Sequence, residues 1–193
     1  MLSLVVIAVI AFVATNLDDL AVLTAFCGHE RYRFREILLG QYLGFGLLVA
    51  VSLVGGVGVA RFFTEHVRWL GILPIVVGAV WYLRTRDRTE RAASDRPAVA
   101  GSASRSRTMV VAGVGVADGG DNIAVYIPLF AALGLDETIL VAGIFLVAAG
   151  LWVLLARWLG SRQVVAARVE AYGDVVLPLV FVGLGVVILA GGI

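Results

Sequence analysis

Six apolar runs limit what this chain can fold into, because each is long enough, or nearly so, to cross a bilayer as a helix. They cover residues 1–27, 37–60, 69–83, 109–133, 138–156 and 175–192. Of the 193 residues 61% are hydrophobic, which leaves no room for a large soluble catalytic domain. We therefore expect an all-α integral membrane protein with six transmembrane helices, and not an enzyme.

The arginines predict how these helices are oriented. All 15 basic residues are Arg, and 13 of them follow the first, third and fifth runs, whereas only Arg61 and Arg68 fall on the other side. The positive-inside rule then places the Arg-rich segments in the cytoplasm and both termini outside the plasma membrane. The first run has no basic residues ahead of its apolar stretch, so we expect it to be retained as a helix rather than removed as a signal peptide.

One segment, 84–108, differs in composition from the runs around it. It is rich in Arg, Ser, Ala and Asp and has no apolar periodicity, which predicts a flexible cytoplasmic linker between residues 1–83 and residues 109–193. Asp87 and Asp95 dilute its positive charge, so we interpret the arginines as an orientation signal and expect no nucleic-acid partner.

The two halves of the chain resemble each other. Asp-Asp-Leu-Ala-Val at 18–22 aligns with Asp-Asn-Ile-Ala-Val at 121–125, 103 residues later, and Leu-Pro at 73–74 aligns with Leu-Pro at 177–178 after a one-residue slip. Because each half holds an odd number of spans, the second half must be inserted upside down. This predicts two inverted-topology three-helix repeats, an arrangement in which transporters bind substrate between the repeats near the bilayer midplane.

Four carboxylates lie inside otherwise apolar runs, namely those of Asp18, Asp19, Asp118 and Asp121. An ionised carboxylate at the bilayer centre costs about 2.5 to 3.5 kcal/mol on insertion scales. No basic residue lies within these runs, and Arg107 is the nearest to the fourth run's acids. Protons or a bound cation must therefore compensate the charge.

The spacing of these acids predicts a shared cation site. Thr15, Asp18 and Asp19 fall at i, i+3 and i+4, and the residues at 118, 121 and 122 repeat that spacing. Two such faces, if they meet, supply about six oxygens to a divalent cation. The candidate metal ligands are Asp18, Asp19, Asp118, Asp121, Asn16 and Asn122.

Neighbouring residues predict a weakened helix beside the acids. Gly119 and Gly120 bare backbone carbonyls, as in the discontinuous helices of transporters, and Pro128 removes a further helical hydrogen bond. We interpret these three residues and Thr15 as binding or gating positions. Trp152, with other aromatic residues near predicted helix ends, is interpreted as part of an interfacial belt.

A mechanism follows from the charge of the site. Four carboxylates around one divalent ion leave an excess of negative charge, which bound protons would remove. We therefore expect metal and protons to compete for one site and to be exchanged as the two halves rock around it. No cofactor is expected apart from the metal as substrate.

Two motifs resemble a known family. Thr-Asn-Leu-Asp-Asp-Leu at 15–20 and Asp-Gly-Gly-Asp-Asn-Ile-Ala-Val-Tyr-Ile-Pro-Leu-Phe at 118–130 look like the signatures of CadD-type cadmium resistance transporters, which belong to the LysE superfamily of six-span exporters. The resemblance implies export of a divalent metal, with cadmium as the named substrate. This chain has Asp118 where the family's motif more often has Asn, and related families are linked to manganese or calcium.

Other functions remain open at this point. Asp18 and Asp121 could form the shared-proton pair of an intramembrane aspartyl protease. A LysE-type amino-acid exporter fits the architecture, although four carboxylates would repel the substrate's own carboxylate, and a metal-binding scaffold is a further alternative. The small-residue pair Gly40 and Gly44 permits close packing either within one chain or between two, so a homodimer is possible.

Overall fold

The structure, a computed structural model, describes residues 2–62, 64–88, 106–160 and 177–191. Within these ranges every regular element is helical, which confirms the predicted all-α class. The elements are α1 (Leu2–Thr15), α2 (Leu17–Gly28), α3 (Phe34–Phe62), a short 3-10 helix (Thr64–Gly71), α4 (Ile72–Arg88), α5 (Arg107–Asp118), α6 (Gly120–Ala132), α7 (Leu135–Gly160) and α8 (Leu177–Leu189). Residues 89–105 of the predicted linker lie outside the described ranges.

Several of these helices are long and apolar enough to cross a membrane. Among the described residues, three continuous stretches qualify by themselves: Phe34–Phe62, His66–Leu83 and Leu135–Gly160. Two pairs qualify as bent spans, α1 with α2 at 58° and α5 with α6 at 66°. Up to five spans are therefore present by length and composition, and α8 is a shorter apolar helix. The chain is a helical membrane protein, while the sixth crossing stays a prediction.

The outer surface of the bundle is apolar, as lipid contact requires. On α3, leucines and valines at a spacing of three to four residues are 45% exposed or more: Leu39, Leu43, Leu47, Val51 and Val54. A water-soluble protein rarely exposes a continuous stripe of this kind. The opposite face of the same helix carries small residues and is buried against the rest of the chain.

The most extensive helix contacts join the two halves of the chain. α3 lies along α5 and α6. A Cβ atom built on Gly44 would lie 2.8 Å from the carbonyl oxygen of Ala112, and one on Gly56 would lie 2.6 Å from Cβ of Phe130. Contacts advance along both helices together, so they run parallel. These glycines therefore serve close packing within one chain, and Gly40 does the same against Val111.

The second long helix, α7, makes the corresponding contacts with α1 and α2. The indole nitrogen of Trp152 reaches the carbonyl oxygen of Asn16, and Gly160, further along, lies beside the backbone of Thr24. These helices also run parallel. Each long helix thus covers the bent pair of the other half, and the two halves interlock.

Two arginines from the predicted cytoplasmic segments lie at one end of the bundle. Arg107, at the start of α5, lies 3.5 Å from a carboxylate oxygen of Glu36 near the start of α3. Arg157, near the end of α7, lies over the ring of Phe34, with 4.8 Å between the guanidinium carbon and the ring centre. Among the described residues, these two arginines therefore lie at the same end of the bundle, and the sidedness of the whole arginine set stays a prediction.

The glycine contacts lead to a prediction about stability. We expect Gly44→Ala to destabilise the protein by about 1 to 3 kcal/mol, because the added methyl group would push against the backbone of α5. Gly46→Ala is the matched control, since a Cβ atom there meets no heavy atom within 4 Å. Thermal unfolding in detergent measures both variants, and equal melting temperatures would contradict the packing described here.

Candidate functional site

Two helix breaks mark the same position in the two halves of the chain. α1 ends and α2 begins around Asn16, and α5 gives way to α6 at Gly119. The two residues are 103 positions apart, which is the offset of the sequence repeat. The predicted weakening at Gly119 is confirmed, and Gly119 packs against the side chain of Leu48 of α3, which would have to move to admit a Cβ atom.

The break at Asn16 corrects the prediction of one continuous first helix. Because the chain bends by 58° between α1 and α2, Thr15 and Asp18 do not share a helical face through i, i+3 spacing. The same holds for Asp118 and Asp121 across the 66° bend in the second half. The site is therefore built from helix ends rather than from two helix faces.

The backbone at the start of each second half-helix holds one carboxylate in the same way. Asp18 accepts a hydrogen bond from the N–H of Asp19 at 3.0 Å, and Asp121 accepts one from the N–H of Asn122 at 2.8 Å. The first N–H groups of a helix have no partner within the helix, and this end carries partial positive charge. The breaks thus provide part of the compensation that these two carboxylates need inside an apolar bundle.

A buried hydrogen-bond network joins the two breaks. The amide nitrogen of Asn16 lies 3.3 Å from Oδ1 of Asn122 and 2.9 Å from the hydroxyl oxygen of Tyr126, both in the second half. It also lies 2.8 Å from the carbonyl oxygen of Phe12 and 2.9 Å from Oγ1 of Thr15. The hydroxyl oxygens of Thr15 and Tyr126 are 2.6 Å apart. The two halves therefore meet through polar groups at this one point in an apolar core.

The donors in this network can be assigned. Thr15 Oγ1 lies 3.0 Å from the carbonyl oxygen of Ala11, which can only accept, so the Thr15 hydroxyl donates there. Tyr126 must then donate to Thr15 and accept from Asn16. The Oδ1 atom of Asn16 is left with no hydrogen-bond partner among the described residues, although Asn16 is completely buried.

The four predicted acids lie in one region around this network, at different depths. Asp118 is exposed, Asp18 and Asp121 are half-buried, and Asp19 is 6% exposed. Asp19 interacts electrostatically with the other three, and Tyr126 with Asp121 and Asp19. No group of three or more His, Cys, Asp or Glu side chains within the described ranges is gathered closely enough to hold a metal ion. The acids share a region without forming a closed cage.

The remaining predicted residues occupy different parts of this region. Gly120 is exposed at the first position of α6, and Pro128 is buried inside the same helix, beyond Tyr126. The single cysteine of the sequence, Cys27, was not among the predicted site residues and lies outside this region, beside Gly160 at the end of α7. The groups next to the breaks are therefore oxygen and amide groups, without a thiol.

Two residues of the site were not identified from the sequence. Trp152 donates from Nε1 to the carbonyl oxygen of Asn16 at 2.6 Å, and its ring meets that of Phe12 edge to face with centres 5.4 Å apart. Its interpretation as an interfacial aromatic is therefore wrong. Tyr126 is fully buried, and its position in an apolar motif gave no sign of a polar role. The repeat offset, by contrast, could have located the first break, since it aligns Asn16 with Gly119.

Comparison with known proteins gives one match. The model of a protein family described as "Cadmium resistance transporter" matches residues 12–192, nearly the whole chain. No curated protein and no solved structure matches the chain.

The contact of Trp152 with the first break predicts a loss of stability on substitution. Trp152→Phe keeps an aromatic ring beside Phe12 but removes the donor to the Asn16 carbonyl, which we expect to cost about 1 to 2 kcal/mol. Trp69→Phe is the control, because Trp69 is 54% exposed. Thermal unfolding in detergent compares the two, and an equal effect of both substitutions would argue against this role for Trp152.

Proposed function

The chain belongs to the cadmium resistance transporter family, and from that premise we propose that it is a secondary transporter that exports divalent metal cations, cadmium first among them, in exchange for protons. The membership extends over both breaks and over all four acids. The family is one of transporters, which favours transport over the proteolytic alternative.

One observation carries the proposal: two broken helices, 103 residues apart, bring their acidic half-helix starts together across the interface of the two halves. A broken helix in a membrane is tolerated where its free backbone groups are covered by protein or line a cavity. Transporters use such breaks as ion sites, because carbonyl ends and carboxylates can both contact a cation. The acids here occupy that position.

The packing supports an inverted repeat of six spans. α3 runs parallel to α5 and α6, and α7 runs parallel to α1 and α2, so each half offers its long helix to the other half in the same way. With three spans in each half, this pairing is the one expected of halves related by a twofold axis in the membrane plane. We place the arginine-rich end in the cytoplasm and both termini outside the plasma membrane, following the charge asymmetry.

The proposed metal site takes its ligands from Asp18, Asp19, Asp118 and Asp121, with the amide oxygens of Asn16 and Asn122. The graded burial of the acids suits stepwise entry, with Asp118 meeting the ion first and Asp19 last. Oxygen donors of this kind suit hard divalent ions such as manganese or calcium as well as cadmium. When the metal leaves, protons take its place on the carboxylates and remove their mutual repulsion.

Substitution of the acids tests the site. We expect Asp19→Asn and Asp121→Asn each to lower cadmium uptake into proteoliposomes at least about tenfold, since even residues behind the direct ligands change metal affinity or activity by 10- to 100-fold. Asp136→Asn is the matched control, because Asp136 is exposed in the first turn of α7. The same three variants can be scored for cadmium resistance in cells. Wild-type rates in both site variants would exclude these carboxylates as the site.

Proton exchange predicts a defined dependence on pH. An acidic lumen should accelerate cadmium uptake, because protons leaving the vesicle drive the metal inward, and the lumen should become more alkaline as metal enters. Lowering the pH equally on both sides should slow uptake, because protons then occupy the carboxylates. A pH-sensitive dye in the lumen and a radioactive metal tracer follow both fluxes. Metal uptake at the same rate with and without the pH gradient would refute proton exchange, although metal transport itself would still be supported.

A further inference from the structure

The Asn16 side chain is an anomaly within the site. It is completely buried, and its Oδ1 atom has no hydrogen-bond partner in the part of the chain that the structure describes. Buried polar atoms in native proteins are nearly always satisfied, and an exception calls for a specific cause such as an ion. The other end of the same amide is, by contrast, surrounded by acceptors.

The orientation of this amide is fixed by its surroundings. Its nitrogen lies 2.8 Å from the carbonyl oxygen of Phe12, so a flipped amide would set two oxygens against each other. The hydroxyl of Tyr126 also accepts from this nitrogen, and it can do so because its own hydrogen is given to Thr15. Tyr126 thus supplies the nearer of the two acceptors from the opposite half of the chain and, together with the Phe12 carbonyl, holds the amide in one orientation.

The charges that act on the neighbouring Tyr126 indicate what kind of group would satisfy Oδ1. Asp19 and Asp121 both act electrostatically on Tyr126, which touches Asn16 directly. An amide oxygen without a hydrogen-bond donor carries a partial negative charge that a cation can satisfy. Amide oxygens are common ligands of oxygen-preferring divalent ions.

We propose that Tyr126 is a positioning residue of the metal site, whose hydroxyl holds the Asn16 amide so that Oδ1 is presented to the transported cation as a neutral oxygen ligand. This inference rests on the proposed function and assigns different roles to the carboxylates and to the Asn16 amide. The carboxylates supply the charge that attracts the ion, and the oriented amide supplies a ligand without further repulsion. Tyr126 acts through Asn16 and does not itself touch the ion.

A double-mutant cycle tests this inference by measuring cadmium uptake as a function of concentration. We expect Tyr126→Phe to raise KM about tenfold, the lower end for a residue that orients a ligand. The maximal rate should change by less than about twofold, because the carboxylates remain. Asn16→Ala should raise KM at least as much, and adding Tyr126→Phe to it should have no further effect, since residues that act as one unit are not additive. Tyr82→Phe is the matched control, because Tyr82 is 56% exposed on α4.

A second variant and a second measurement distinguish a specific effect on metal binding from a general loss of folding. Thr15→Val removes the acceptor of the Tyr126 hydroxyl while keeping the shape of the side chain, and it should raise KM in the same way. Melting temperatures in detergent, with and without cadmium, report stability and metal binding separately. We expect Tyr126→Phe to reduce the shift caused by cadmium more than it reduces the melting temperature of the metal-free protein.

The possible failures are distinguishable. An unchanged KM in Tyr126→Phe, or a double variant in which the two effects multiply, would overturn the positioning role even though the wild type binds and moves cadmium. A wild type that shows neither uptake nor a metal-dependent melting shift would instead overturn the proposed function, and this inference with it.

Discussion

The need to satisfy backbone groups at the two helix breaks governs the rest of this structure. Within a bilayer no water is present to bond a free N–H or C=O group, so an interrupted helix must find partners in the protein. At the first break, the Trp152 indole donates a hydrogen bond to the carbonyl of Asn16, and the carboxylate of Asp18 accepts one from the N–H of Asp19. At the second, Asp121 repeats the role of Asp18. The acids are therefore structural partners of the backbone as well as candidate ligands.

The need to cover the two helix breaks also accounts for how the two halves of the chain pack against each other. Each long helix packs mainly against the bent helix pair of the other half rather than against the pair of its own half: α3 against α5 and α6, and α7 against α1 and α2. Small residues on α3 allow this close approach, as Gly44 and Gly56 show. The hydrogen bonds of Asn16 to Asn122 and Tyr126 then fasten the halves together at their centre. A rocking motion between the halves must therefore act on the site directly.

The sequence predicted those features that local chemistry determines. Apolar length predicted the helices, and paired glycines predicted the break at Gly119, because glycine weakens a helix by itself. The break at Asn16 has no paired glycines, and its side chain and carbonyl contact Asn122 and Tyr126 of α6 and Trp152 of α7, which are distant in sequence. The polar roles of Trp152 and Tyr126 could not be predicted from the sequence for the same reason. Their polar atoms have a role only once the opposite half is in place, whereas their ring surfaces fit an apolar run equally well.

The interlock also bears on how the protein is made. α1 to α3 enter the membrane before α7 has been synthesised, so the Asn16 carbonyl, which accepts from the N–H of Leu20 in its own half, gains its indole donor only after more than a hundred further residues have been added. During that interval the first break lacks the hydrogen bonds that the second half supplies. Completion of the chain is thus an assembly step between two halves.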